Sequence, residues 1–189
     1  MKYHRKLSIF LALCLSVGAT LGGYAAYLQI VGNFHTVIDG QLYRSAQPTP
    51  SQLNAYVRDH GIKTIINLRG EKQNEAWYQA EIRTARQLGV EHIDFGMSAS
   101  KKLTPERADE IVAIMEAAPK PILIHCQSGS DRTGLISAIY INRIAGEGER
   151  EAEGQLSFYY GHVAIPVISQ AWPMDVSWED LEEHFERKS

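Results

Sequence analysis

The sequence predicts an α/β fold. A single domain with a central, mostly parallel sheet flanked by helices is preceded by an N-terminal hydrophobic helix. Three observations predict this. Short β-branched runs alternate with longer helical patterns from residue 38 to residue 146, as βα units require. The apolar run 121–124 feeds a tight loop, and the apolar run 135–141 leads out of it, so a buried strand, a loop and a buried helix follow one another. Residues 7–31 carry no charge.

The N-terminal stretch, residues 1–31, is a signal anchor or a signal peptide. As a helix, 7–31 spans about 37 Å at 1.5 Å per residue, enough to cross a bilayer. Cleavage after Val17-Gly18-Ala19 would make it a signal peptide, but its length favours the anchor. Lys2, Arg5 and Lys6 precede the run and hold the N-terminus in the cytoplasm. Both readings export the rest, either anchored in the inner membrane with the domain in the periplasm or soluble once cleaved.

Residues 32–37 read as a linker and 38–189 as the folded domain. A hairpin over 38–44 turns at Asp39-Gly40. A helix begins at Thr49-Pro50 and stops at Gly61. A strand covers 62–68. A helix covers 74–88, its apolar face drawn through Trp77, Ala80, Ile82 or Ala85, and Leu88, with Gly89 as its cap. Residues 90–95 form the next strand. Thr104 caps a helix running to residue 118, and Pro119 and Pro121 end it. The helix 132–145 closes at Gly146. Residues 150–160 read as helical, 164–173 have no clear pattern, and 177–188 form a terminal helix with a capping-box-like start, Ser177-Trp178-Glu179-Asp180.

The length of 189 residues supports one core plus a tail. A net charge of −3 gives no nucleic-acid footprint. The two cysteines, Cys14 and Cys126, imply no disulfide framework, because Cys14 lies in the apolar segment. His92, His125, Cys126 and His162 are not at zinc-like spacing, so neither metal nor cofactor is expected.

The chemistry concentrates in His125-Cys126-Gln127-Ser128-Gly129-Ser130-Asp131-Arg132-Thr133-Gly134. A tight turn between strand and helix points several N–H groups and a helix N-terminus into one bowl, which suits a phosphate-sized anion. The same donors lower the pKa of Cys126 and leave a nucleophilic thiolate. Gly129 permits the turn, and Gly134 lets the helix pack on the strand. Arg132 can fold its planar guanidinium over the bowl and grip two phosphate oxygens. The Thr133 hydroxyl can donate to the sulfur. His125 supports the loop and tunes Cys126.

This loop resembles the Cys-x5-Arg signature of the protein tyrosine phosphatase superfamily. Its Asp-Arg-Thr-Gly ending is similar to the bacterial and atypical dual-specificity branch. The resemblance covers roughly residues 38–146. It implies a cysteine-dependent phosphatase acting on phosphate monoesters through a phosphocysteine, with Cys126 and Arg132 catalytic and Gln127, Ser128, Gly129, Ser130, Thr133 and Gly134 in the phosphate loop. Tyr43-Arg44-Ser45-Ala46-Gln47-Pro48 resembles a segment near the start of the bacterial members, whose arginine packs near the phosphate loop, so Arg44 is a supporting candidate.

Two aspartates compete as general acid. Asp131 lies in the loop, and lipid-phosphatase-like relatives with the same ending are thought to use it. Asp94 ends the preceding strand at a family-like distance, but the following loop carries no carboxylate. Arg69 and Lys72, after the strand 62–68, and Lys101 and Lys102, in the loop after Asp94, could add positive charge at the site. Phosphorylated protein is the first substrate expected and phosphoinositide or inositol phosphate the second. A binding-only pseudophosphatase is the non-enzymatic rival.

Overall fold

The structure is a computed structural model that describes residues 2–186. The end of the predicted terminal helix, 187–188, and the side chains of Lys2 and Arg5 lie outside the described residues.

The chain opens with a 30-residue helix, α1 (Lys2–Val31). Its stretch Ile9–Val31, with mean hydropathy 1.8, is long and apolar enough to cross a bilayer. Strand β1 (His35–Ile38) then turns at Gly40 (φ 68°) into β2 (Leu42–Ser45). The hairpin therefore starts three residues earlier than the sequence indicates, inside the stretch expected to be a linker. Helix α2 (Pro50–His60) has the full Thr49–Gln52 capping box and ends on left-handed Gly61. Then come β3 (Thr64–Asn67), α3 (Ala76–Leu88), β4 (Glu91–Asp94), α4 (Pro105–Ala117), β5 (Ile122–His125) and α5 (Asp131–Tyr140). A π-helical turn, Ile141–Ala145, extends α5 to Gly146.

The C-terminal region departs from expectation. Residues 150–160 are not one helix but the short α6 (Glu149–Glu153) and a 3-10 turn, Phe158–Tyr160. Helix α7 (Trp172–Glu186) begins five residues before the expected start. Ser177 is not its cap. It is buried inside the helix, where its hydroxyl donates to the Pro173 carbonyl and accepts from the Leu103 amide.

The five strands run in the order β1-β2-β5-β3-β4. Only β1–β2 is antiparallel; the other pairs are parallel. All four residues of β2, β3 and β5 are buried, as strands covered on both faces must be. Side chains alternate between the two faces. Leu42, Ile66, Ile122 and Ile124 pack on α4, α5 and α7 through Ile111, Met115, Ile139 and Trp178. Tyr43, Ile65 and Leu123 pack on α2 and α3 through Leu53 and Ala85. Because β3, β4 and β5 are parallel and in register at Asn67, Asp94 and His125, the loops that follow them leave from one sheet edge. Open α/β sheets bind ligands at that edge.

Candidate active site

The loop from Cys126 to Arg132 curls between β5 and α5. Its carbonyls are held from outside, one after another. Gln127 O accepts from the Gln47 amide (3.2 Å). Ser128 O accepts from Asn33 Nδ2 (2.9 Å) and Gln29 Nε2 (3.3 Å). Gly129 O and Ser130 O both accept from Arg44 Nη2 (2.8 and 3.2 Å). In a planar trans peptide the N–H points opposite to the C=O. The amides of residues 128–131 are therefore turned toward the inside of the curl. The Gly129 N–H reaches Cys126 Sγ at 3.3 Å.

Arg44 is 0% exposed. Its Nη1 donates to Gln155 O (3.0 Å) and Oε1 (2.9 Å), and its guanidinium lies 3.8 Å from the Tyr160 ring centroid. Burial brings its pKa down to about 10, so it remains a cation, and it braces the loop rather than lining its mouth.

Two glycines are required by contact. Gly129 has φ 75°, and a Cβ there would stand 2.6 Å from the Ala46 amide nitrogen. A Cβ on Gly134 would stand 2.8 Å from Gln155 O, so the close approach it permits is to that segment and not to a strand.

The mouth is a cavity of about 630 Å³ lined in part by Gln127, Ser128, Asp131, Arg132, Arg69 and Lys72. Arg132 is held loosely. Its Nη1 makes two long bonds, 3.4 Å each, to Leu68 O and Met97 O, and its buried Nε has no hydrogen-bond partner among the described residues. Arg69 stacks on Trp77 at 3.5 Å and donates to Gln47 Oε1 at 2.9 Å. Burial, then the nearby Arg132, lower its pKa. Three cations therefore rim the bowl of a chain whose net charge is negative, and an anion there is attracted locally.

The two candidate acids have different surroundings. Asp131 lines the cavity, and its Oδ1 pairs with His162 Nδ1 at 2.8 Å. The other ring nitrogen of His162 pairs with Asp175 Oδ2 on α7 at 2.9 Å. Burial favours the neutral imidazole, but the hydrogen bonds and charges of Asp131 and Asp175 outweigh it and raise the pKa of His162 above its ordinary value. Asp94 does not line the cavity. Its carboxylate accepts from Asn67 Nδ2 (2.8 Å) and the Tyr78 hydroxyl (2.5 Å), because its side chain leaves β4 toward α3.

Other expected roles also change. Lys102 pairs with Asp180 at 2.6 Å, and Lys101 and Lys102 border a separate groove with Thr104 and Arg107, so neither lysine is placed over the bowl. The Thr133 hydroxyl is buried and makes no hydrogen bond among the described residues; the sulfur takes the Gly129 amide instead. His125 makes no hydrogen bond to the sulfur among the described residues. Its Nε2 faces Glu81 Oε1 at 3.2 Å, and the same oxygen takes His92 Nε2 at 2.7 Å.

Glu81 was not visible as a site residue in the sequence. It is buried on α3, beneath the loop, and Gln47 also donates to it. Burial pushes its pKa up, but the charges and hydrogen bonds of His125 and His92 prevail and hold its carboxyl well below the usual range. Gln29 of α1, Gln155 and the Asp131–His162–Asp175 chain are likewise unannounced, since each partner lies far away in sequence.

The family model described as a DSP-PTPase phosphatase fused to NAD+ kinase matches residues 32–163. The chain belongs to this phosphatase family. It is 27% identical over 105 residues to the inositol diphosphatase DSP4 of Arabidopsis thaliana, an alignment covering 53% of this chain and 50% of that protein. It thus spans about half the length of that relative. Its fold is similar to that of P. aeruginosa TpbA, with TM-score 0.62, 20% identity, and 79% and 85% of the two chains covered. The catalytic core of the S. cerevisiae PP-IP phosphatase SIW14 is comparable, with TM-score 0.60, 20% identity, and coverage of 82% and 91%. The chain is therefore an atypical member of the protein tyrosine phosphatase superfamily.

Proposed function

We propose that this phosphatase hydrolyses phosphate monoesters through a phosphocysteine on Cys126, with phosphorylated protein, phosphotyrosine first, as its substrate. The observation that carries the reading is the Gly129 amide on Cys126 Sγ, in a loop whose carbonyls are held from outside and beside the loosely held Arg132. Preorganised donors stabilise the equatorial oxygens as charge shifts in phosphoryl transfer.

In the first step Cys126 Sγ bonds to phosphorus as the ester P–O bond breaks. The leaving oxygen takes the one proton shared by Asp131 and His162, through Asp131. In the second step a water oxygen bonds to phosphorus as the S–P bond breaks. A proton from that water restores the pair, and the thiolate is regained. The Gly129 N–H, which already reaches the sulfur, eases its departure. Arg69 and Lys72 beside Arg132 favour a second substrate reading, an inositol phosphate or phosphoinositide, whose several phosphates would use the extra cations. In the same proposal α1 anchors the chain in the inner membrane, with the domain on the periplasmic side.

The test measures phosphate release from p-nitrophenyl phosphate, phosphotyrosine peptide and phosphoinositides by the full chain beside Cys126→Ser. We expect release to vanish in the variant, and labelled phosphate to be trapped on Cys126 by acid quench. Release that survives Cys126→Ser would sink the mechanism, and the ranking of substrates chooses between protein and inositol phosphates.

A further inference from the structure

We propose that the loop 163–168 is a second contact with the lipid bilayer beside α1, and that it holds the mouth of the Cys126 bowl at the membrane surface. The proposal rests on the reading of α1 as an anchor.

Helix length carries the first step. The described side chains of residues 9–23 are exposed, Tyr24 is half-buried and Leu28 is buried. From residue 7, where the charge-free run begins, to residue 23, α1 is about 26 Å long at 1.5 Å per residue. The hydrocarbon layer is roughly 30 Å thick. It therefore reaches up to the level of residues 24–27, where the domain already packs on the helix. At that level the Tyr24 ring meets Phe158 (centroids 5.3 Å apart), its hydroxyl donates to Tyr159 O (2.6 Å), and Leu28 lies against Gly161. Tyr24, Tyr27, Phe158 and Tyr159 form a partly exposed aromatic group at the height where amphipathic rings settle between lipid and water.

The chain passes from this group straight into Val163-Ala164-Ile165-Pro166-Val167-Ile168, which carries no charge. Its aliphatic side chains face outward, with Val167 93% and Ile168 80% exposed and Val163 and Ile165 about half exposed. The loop is nonetheless folded: Ser169 donates to Val163 O through its hydroxyl (2.8 Å) and to Ile165 O through its amide (2.9 Å). An ordered aliphatic patch of this kind marks an interaction site, and its continuity with the part of α1 at the bilayer edge assigns the occupant as lipid.

Both ends of the loop are tied to the bowl. His162, just before it, pairs with Asp131, and Gln170, just after it, lines the cavity together with Gln29 of α1. Lipid contact and phosphate loop thus form one unit.

The test places tryptophan at the exposed positions, Val167→Trp and separately Ile168→Trp, in the full chain in phosphatidylcholine liposomes. Lipids brominated near the head group quench indoles that enter the bilayer edge. We expect the emission added by each tryptophan to fall at least twofold with the brominated lipid. No fall for either variant would overturn the proposal. Loss of the parent chain from floated liposomes after an alkaline wash would overturn the anchor and the proposal with it. p-Nitrophenyl phosphate release, expected to be unchanged in both variants, is read separately. Its absence in the parent would sink the phosphatase mechanism and leave the quenching result standing.

Discussion

His162 lies between two carboxylates, and that position bears on how Asp131 can move a proton. An imidazole whose pKa is raised keeps its proton above the ordinary value of 6.5 and loses it as pH rises through the raised value. His162 therefore keeps its proton to higher pH than a free imidazole would. Asp175 reaches the far ring nitrogen and does not line the mouth of the bowl, so it acts through His162. Asp175→Asn is expected to lower the pKa of His162 and to move the alkaline limb of kcat on an alkyl phosphate to lower pH. p-Nitrophenyl phosphate, whose leaving group needs little proton help, should respond far less. An unmoved limb in a pH–rate profile would reduce Asp175 to a packing residue. Glu81 is the acid-side counterpart. Its pKa is depressed, so its contribution to stability is full above the ordinary value of 4.5 and is lost as pH falls through the folded value. Glu81→Gln should cost about 3 kcal/mol at pH 7, in the range for breaking a buried ion pair, and the gap to the parent in urea unfolding should narrow below pH 4.5.

At the scale of elements, the phosphate loop works because β2, β5 and α5 meet without room for a side chain. The Gly129 contact with the end of β2 makes Gly129→Ala a test of that packing. Its φ of 75° is strained for any L-residue, and its Cβ would collide with backbone, which cannot swing aside. Displacement of the amides by about 1 Å should cost roughly 100-fold in kcat/KM; kinetics beside a thermal melt would separate this from simple unfolding. The loop was legible in the sequence because its residues are consecutive and each type has one local use. The helices α2 and α4 were legible through their caps, Thr49 and Thr104. The inner face of α3 was not. Periodicity selects Trp77, Ala80, Ile82 or Ala85, and Leu88; the structure buries Ala85 and packs Leu88 against the core, but it also buries Tyr78, Glu81 and Thr84. A carboxylate can occupy that face only because His92 and His125, 11 and 44 residues away, satisfy it. Ser177 misled for the same reason: its partner is the Leu103 amide, 74 residues distant, and no local pattern carries that information.

For the whole molecule, α1 is a structural part of the phosphatase domain as well as its apolar lead. Its last two turns supply Leu28 to the interior, Gln29 to Ser128 O and the cavity wall, and Tyr24 to Tyr159. The connection after it supplies Asn33, 1% exposed, which bridges Ser128 O and Tyr160 O at 2.9 Å each. Two ways of removing the apolar segment should therefore differ. A chain beginning at residue 20, as cleavage after Ala19 would leave, keeps all four residues and should release phosphate from p-nitrophenyl phosphate within about twofold of the full chain, since each bond that holds the loop is retained. A chain beginning at residue 33 loses Tyr24, Leu28 and Gln29. Burial of one leucine is worth about 2 kcal/mol and the Tyr24 hydrogen bond about 1 kcal/mol. A domain of this size loses roughly 2–4 °C in Tm per kcal/mol, so its melt should fall by roughly 6–12 °C. KM should also rise as Ser128 O loses one of its two side-chain donors. Equal melting of the two shortened chains would show that α1 only leads to the domain, and a drop confined to the shorter one would place the domain boundary inside the helix.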